Sequence, residues 1–239
     1  MVNCAHCNTD ITLNYCPQCG QSAKLKRIDG HYIQHEILHI LHFEKGILYT
    51  VKELLLRPGK SIRLFIAENR DRLVKPIVFI IISSLLYTIV NHTFHIEEGY
   101  FHIEDMKGSS TNAMNEWVQS HYGYSNIIIG VFIALWLKLF FRNSGYNFFE
   151  ILILLCFVIG MGMLIFTVFA VVEGLTKLKV LPVSGVVYFI YSTWAVGQFF
   201  NAKKIGGYAK AFAAYLLGLL TVSLITLIIG ISIDLLIKH

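Results

Sequence analysis

The chain has 239 residues, a formal net charge of +5 at pH 7, 55% hydrophobic residues, 15% charged residues and a mean hydropathy of +0.60. Soluble domains carry about a quarter charged residues, so a water-soluble globule is excluded. Intrinsic disorder and collagen-like repeats are excluded by 13% aromatics and only 4 prolines. The expected fold class is an all-α integral membrane helical bundle of about five transmembrane helices. A small zinc-ribbon-like head is expected over residues 1–23, amphipathic interfacial helices over 24–75 and the bundle over 76–239.

The first twenty residues hold Cys4-Ala5-His6-Cys7 and Cys16-Pro17-Gln18-Cys19-Gly20, two C-x2-C pairs. Two such turns can aim four thiolates at one tetrahedral centre, which suits a structural Zn2+ ion on Cys4, Cys7, Cys16 and Cys19. A segment this short buries little core, so metal would supply its folding energy. Disulfides and a redox dithiol are the competing readings. A reducing cytosol disfavours the first, and the lack of a βαβ pattern disfavours the second. Four protein ligands leave no open position, so the metal is expected to be structural. His6 is expected to face solvent.

From Gly30 to Leu56 the pattern is helical, with Ile33, Ile37, Ile40 and Leu41 on one face. His31, His35, His39 and His42 share another face. A metal or proton-sensing stripe is one reading of those histidines. A polar face at a membrane surface is the simpler one, since no carboxylate is interleaved to orient the rings. Leu54-Leu55-Leu56-Arg57-Pro58-Gly59 ends this helix. A second is expected from Ser61 to about Val74, with Arg57, Lys60, Arg63, Arg70, Arg72 and Lys75 crowded around it. That combination suits a helix lying among anionic lipid headgroups. Only Phe65 is available to stack a base, so no nucleic-acid partner is expected.

Spans are expected at about 76–94, 125–141, 150–172, 182–200 and 211–236. No charged side chain falls between Glu150 and Glu173, Lys179 and Lys203, or Lys210 and Asp234. Each run matches a hydrocarbon core of about 30 Å at about 1.5 Å per helical residue. The 125–141 segment is the weakest of the five because it contains Lys138, which must snorkel to the headgroups. Cys156, in mid-span, reads as a small apolar residue. With alternating crossings, Lys107, Lys177, Lys179 and Lys238 fall on one side and the other sixteen of the 20 lysines and arginines on the other. The positive-inside rule then puts the N-terminus in the cytosol and the C-terminus outside. No signal peptide is expected, because Met1–Gly20 lacks an apolar run.

The order of these motifs resembles a bacterial domain-of-unknown-function family of zinc-ribbon membrane proteins. The likeness rests on the first C-x2-C pair, CPQCGQ from Cys16 to Gln21, LLLRPG from Leu54 to Gly59, the basic stretch into Lys75-Pro76, and Asn147-Phe148-Phe149-Glu150. The chain departs from that pattern at Ile151, where the family often has histidine, and at Ala67-Glu68-Asn69-Arg70, which replaces a glycine-containing turn. The resemblance implies this architecture in a bacterial inner membrane and adds little about chemistry. A cytosolic head before five spans also resembles the Yip-type membrane trafficking proteins.

An intramembrane enzyme needs ionisable or nucleophilic groups facing one another inside the bundle, and the spans offer almost none. Glu150, Glu173 and Asp234 read as caps at span ends, while Ser83, Ser84, Thr88, Ser192, Thr193 and Gln198 read as helix–helix contacts. The expected function is therefore a non-enzymatic membrane adaptor or regulator. Its zinc head would meet a cytosolic protein partner, and its basic segment the anionic lipid of the bilayer. The alternative is an oligomeric pore-forming effector, with Gly130/Ala134 and Ala214/Gly218 allowing close helix approach within or between chains.

Overall fold

A computed structural model describes residues 2–3, 10–11, 17–18, 46–68, 70, 72–96, 110–200 and 205–237. The chain divides into two compact units, Met1–Glu44 and Lys45–His239. In the first, strands β1 (Val2–Asn3) and β2 (Asp10–Ile11) pair antiparallel, with Val2 opposite Ile11 and Asn3 opposite Asp10. Pro17 and Gln18 form a turn. Cys4, Cys7, Cys16, Cys19 and the stripe of His31, His35, His39 and His42 lie outside the described residues.

The second unit is helical among its described residues: α1 (Ile47–Leu56), α2 (Pro58–Ala67), α3 (Pro76–Phe94), α4 (Ser110–Ser120), α5 (Tyr122–Phe140), α6 (Phe148–Thr176), α7 (Leu181–Phe199) and α8 (Ile205–Ile237). Arg57 alone joins α1 to α2, and Pro58 opens α2 at a position where a missing N–H costs nothing. The second basic helix thus starts three residues before the expected Ser61 and stops at Ala67, well short of Val74. The chain leaves the helix because Leu73 and Val74 turn inward and are buried, and the Val74 N–H donates to Thr50 Oγ1 at 3.0 Å. The stretch between the first two expected spans contains α4, whose Thr111 packs where Gly230 of α8 has no side chain.

Among the described residues, four helices are long and apolar enough to cross a membrane: Pro76–Phe94, Tyr122–Phe140, Phe148–Thr176 and Ile205–Leu236. The segment with Lys138 is among them, its ammonium donating to the Tyr146 carbonyl at 2.6 Å beyond the helix end. The expected 182–200 span forms α7, of 19 residues, but is not among the four. Pro182, Tyr188, Tyr191, Ser192, Thr193 and Gln198 dilute its hydropathy. An absence of charge and a sufficiency of apolar area are different properties, and α7 has the first.

Glycines fix the helix order. A side chain at Gly160 would strike the Phe79 ring, and one at Gly174 the Phe94 ring, so α3 and α6 run parallel in close contact. Gly162 lies against the Tyr188 ring of α7, and Gly197 of α7 against the Tyr208 ring of α8. Gly218 then packs against Ile133 of α5, where Trp136 Nε1 donates to Thr221 Oγ1 at 3.0 Å. Helix α6 is the centre, with Leu154, Leu155, Phe157, Val158 and Ile159 buried. Of the apolar window in α6, 56% is buried inside the protein, against 11% for α8, which leaves α8 a peripheral helix for lipid to cover.

Candidate functional site

The densest set of long-range polar contacts lies where α1 and α2 meet α7. Gly59, the second residue of α2, is fully packed. A Cβ there would strike the backbone N of Phe199 and the carbonyl carbon of Gln198, with Gln198 O at 2.8 Å. Only glycine permits that approach. Once it is made, the two helix ends satisfy each other. The Gly59 N–H donates to Gln198 Oε1 at 2.8 Å, filling one of the orphan donors of the α2 N-terminus. In return the Arg63 guanidinium donates to the carbonyls of Gln198 and of Phe199, the latter at 2.9 Å, where α7 ends. Tyr191 completes the joint by donating its hydroxyl to the Leu54 carbonyl at 3.1 Å.

Inside this platform lies Glu53, a carboxylate 7% exposed. Its Oε2 accepts from the Ser61 hydroxyl at 2.7 Å and from Arg72 at 3.3 Å. The Ser61 bond is the main reason its pKa falls below the ordinary 4.5; burial opposes the fall, and the charges of Arg72 and Arg57 assist it. The cluster therefore holds Glu53 ionised at neutral pH. Thr50, also buried, accepts from the Val74 N–H, so α1 holds the connection into α3 at Arg72 and at Val74.

The six expected membrane-surface cations divide into two groups. Arg63 and Arg72 are half-buried and tied to protein oxygens. Arg57, Lys60, Arg70 and Lys75 are exposed. The side chains that anchor the platform, Thr50, Glu53, Ser61, Tyr191 and Gln198, carry little sequence signal beyond their polarity. Glu53 is the exception, since a carboxylate beside Leu54-Leu55-Leu56 has to find a partner or distort the helix.

The carboxylates at span ends are structural. Glu150 forms a capping box with Asn147: Glu150 Oε2 accepts from the Asn147 N–H at 2.7 Å, and Asn147 Oδ1 from the Glu150 N–H at 2.9 Å. Glu173 accepts from the Val180 and Leu181 N–H groups at 2.8 Å each, at the start of α7. Asp234 accepts from the Ser110 N–H, the first of α4, at 2.8 Å. Among the described residues no group of three or more His, Cys, Asp or Glu side chains is placed to hold a metal ion.

Residues 44–88 match the model of a domain family described as a protein of unknown function, DUF3667. The matched stretch contains α1, α2, the connection after them and the first part of α3, so the similarity to this uncharacterised family falls on the platform. No curated protein and no solved structure matches the chain.

Proposed function

We propose that the chain is a non-enzymatic membrane adaptor or regulator, in which the α1–α2 platform links a membrane bundle to an N-terminal head that meets a cytosolic protein. The observation that carries this reading is the joint at Gly59, Gln198 and Arg63. It fastens the platform to the bundle through the protein's own atoms and leaves Arg57, Lys60, Arg70 and Lys75 outward. Those four meet anionic headgroups of the inner leaflet. Helix α7 is read as a fifth crossing. Its first residues bond to Glu173 at one end of α6, and its last bond to α2, which precedes the start of α3. Five crossings with the platform cytosolic leave the C-terminus outside, and the basic residues around α1 and α2 agree with that sense.

The head is read as a structural zinc ribbon on Cys4, Cys7, Cys16 and Cys19. The β1–β2 pair flanks the stretch with Cys4 and Cys7, and the Pro17–Gln18 turn separates Cys16 from Cys19, as two metal-binding knuckles require. A photo-crosslinking residue at Gln18, in whole cells, tests the adaptor role. A discrete protein adduct that disappears in a Cys16→Ser, Cys19→Ser variant is expected. Lipid adducts alone, together with ion conductance by the purified chain in liposomes, would replace this reading with the pore-forming one.

A further inference from the structure

A cavity of about 610 Å³ opens between α2, α3, α5 and α6, within the usual range of about 300–1,000 Å³ for ligand clefts. Its interior is apolar, lined among others by Ile66, Ile77, Ile127, Gly130, Ile153 and Cys156. Its mouth carries Arg70, Lys75, Asn147 and Glu150. Among the lining residues, the Asn126 amide is engaged within the protein, donating to Ser84 Oγ at 3.1 Å. At the mouth, the Glu150 carboxylate is held by the capping box, and its charge faces the start of its own helix. Both α3 and α6 begin here; Glu150 offsets the start of α6, and the start of α3, with Pro76 in the lining, adds one positive helix end to the two cations. The mouth is thus positive at the level where two spans start, and the cleft behind it is a hydrocarbon slot.

We infer that this cleft holds one acidic phospholipid, its phosphate at Arg70 and Lys75 and one acyl chain between Ile66, Ile127, Ile153 and Cys156. The inference deepens the membrane role proposed above: it converts general attraction to an anionic leaflet into a discrete site. It rests on the reading that the platform end lies at headgroup level. Charge complementarity at the mouth selects the headgroup, while the slot selects a chain already in the bilayer. A soluble phosphate would use the mouth alone and leave the apolar lining wet, and a peptide would leave backbone groups unpaired in it.

The test uses the full chain in detergent micelles, with native mass spectrometry read after adding phosphatidylglycerol or phosphatidylcholine of identical chains. Wild type should retain one phosphatidylglycerol about tenfold more tightly than phosphatidylcholine, as two screened cations allow. The Arg70→Gln, Lys75→Gln pair should lose that preference, and Arg70→Lys with Lys75→Arg should keep it. Cys156→Phe should reduce retention of both lipids, because it fills the slot and leaves the cations in place. A melting curve of each variant confirms that it folds. Equal retention of the two lipids by wild type would overturn the site, as would a preference that survives the Arg70→Gln, Lys75→Gln pair or retention that Cys156→Phe leaves unchanged. Micelles have no leaflets, so a wrong orientation of the protein in the membrane leaves this result unchanged. Conversely, failure here leaves the adaptor reading and its crosslinking test standing.

Discussion

The two ends of the bundle finish their helices by different means. At the end carrying α1 and α2, partners come from far along the chain: Gln198 to Gly59, Arg63 to Phe199 and Tyr191 to Leu54. At the other end the loop between α6 and α7 closes locally. Glu173 binds N–H groups only seven and eight residues ahead, and Asp234, on the last helix, reaches back to α4. The first end is a joint between separately wound pieces, and the second is mostly a set of caps. The contrast shows that a run of cations before a span is not uniform. Arg63 and Arg72 are tied to protein oxygens, whereas Arg57, Lys60, Arg70 and Lys75 are exposed.

The largest effect should come from breaking the joint at its narrowest point. Gly59→Val puts a branched side chain against the α7 backbone and should destabilise the protein in detergent by about 3 kcal/mol. Thermal unfolding measures it. Gly185→Ala, in a position with open space around the Cβ, should instead be neutral or gain about 0.5–1 kcal/mol. A loss at Gly185 as large as that at Gly59 would erase the difference between joint and bundle.

Next is the buried carboxylate. Glu53→Ala strands Ser61 and leaves Arg72 without its ion pair, a cost of about 2–3 kcal/mol. The pH dependence has a definite sign. The folded pKa of Glu53 lies below its ordinary 4.5, so its contribution is complete above that pH and fades as pH falls through the folded value. Melting temperature should therefore decline more steeply below pH 4.5 in wild type than in Glu53→Gln. Parallel curves would show that the carboxylate is not held by Ser61.

Arg63→Gln and Arg70→Gln sharpen the division among cations. The first removes donors from two carbonyls at the end of α7 and should cost about 1.5 kcal/mol; the second should leave the melting curve within about 0.5 kcal/mol of wild type. The smallest effect belongs to the opposite end. Asp234→Asn keeps an oxygen for the Ser110 N–H and should cost a few tenths of a kcal/mol, against about 1 kcal/mol for Asp234→Ala.

Much of the bundle is legible in the sequence because long uncharged runs have one physical solution in lipid. The ranking of the spans is less so. Lys138 makes its segment look weak, yet one carbonyl beyond the helix end accommodates it. The 182–200 run looks secure because it has no charge, although hydroxyls, a proline and Gln198 lower its hydropathy. The roles of Glu150, Glu173 and Asp234 as caps follow from their place at span ends. The joint is not legible, because Gly59 and Gln198 are distant in sequence and nothing around either one points to the other. Proline before glycine signals a break between helices; that the glycine also admits another helix's backbone depends on where α7 ends.

Amide hydrogen exchange in the full chain, embedded in nanodiscs of zwitterionic and then of mixed anionic lipid, tests the joint most directly. The Gly59 and Val74 N–H groups are bonded to Gln198 and Thr50. They should exchange as slowly as amides within α6, and equally slowly in both lipid mixtures, because protein groups protect them. Fast exchange in zwitterionic discs that becomes slow only with anionic lipid would contradict the account. The α1–α2 pair would then be a surface helix ordered by lipid, with no joint of its own.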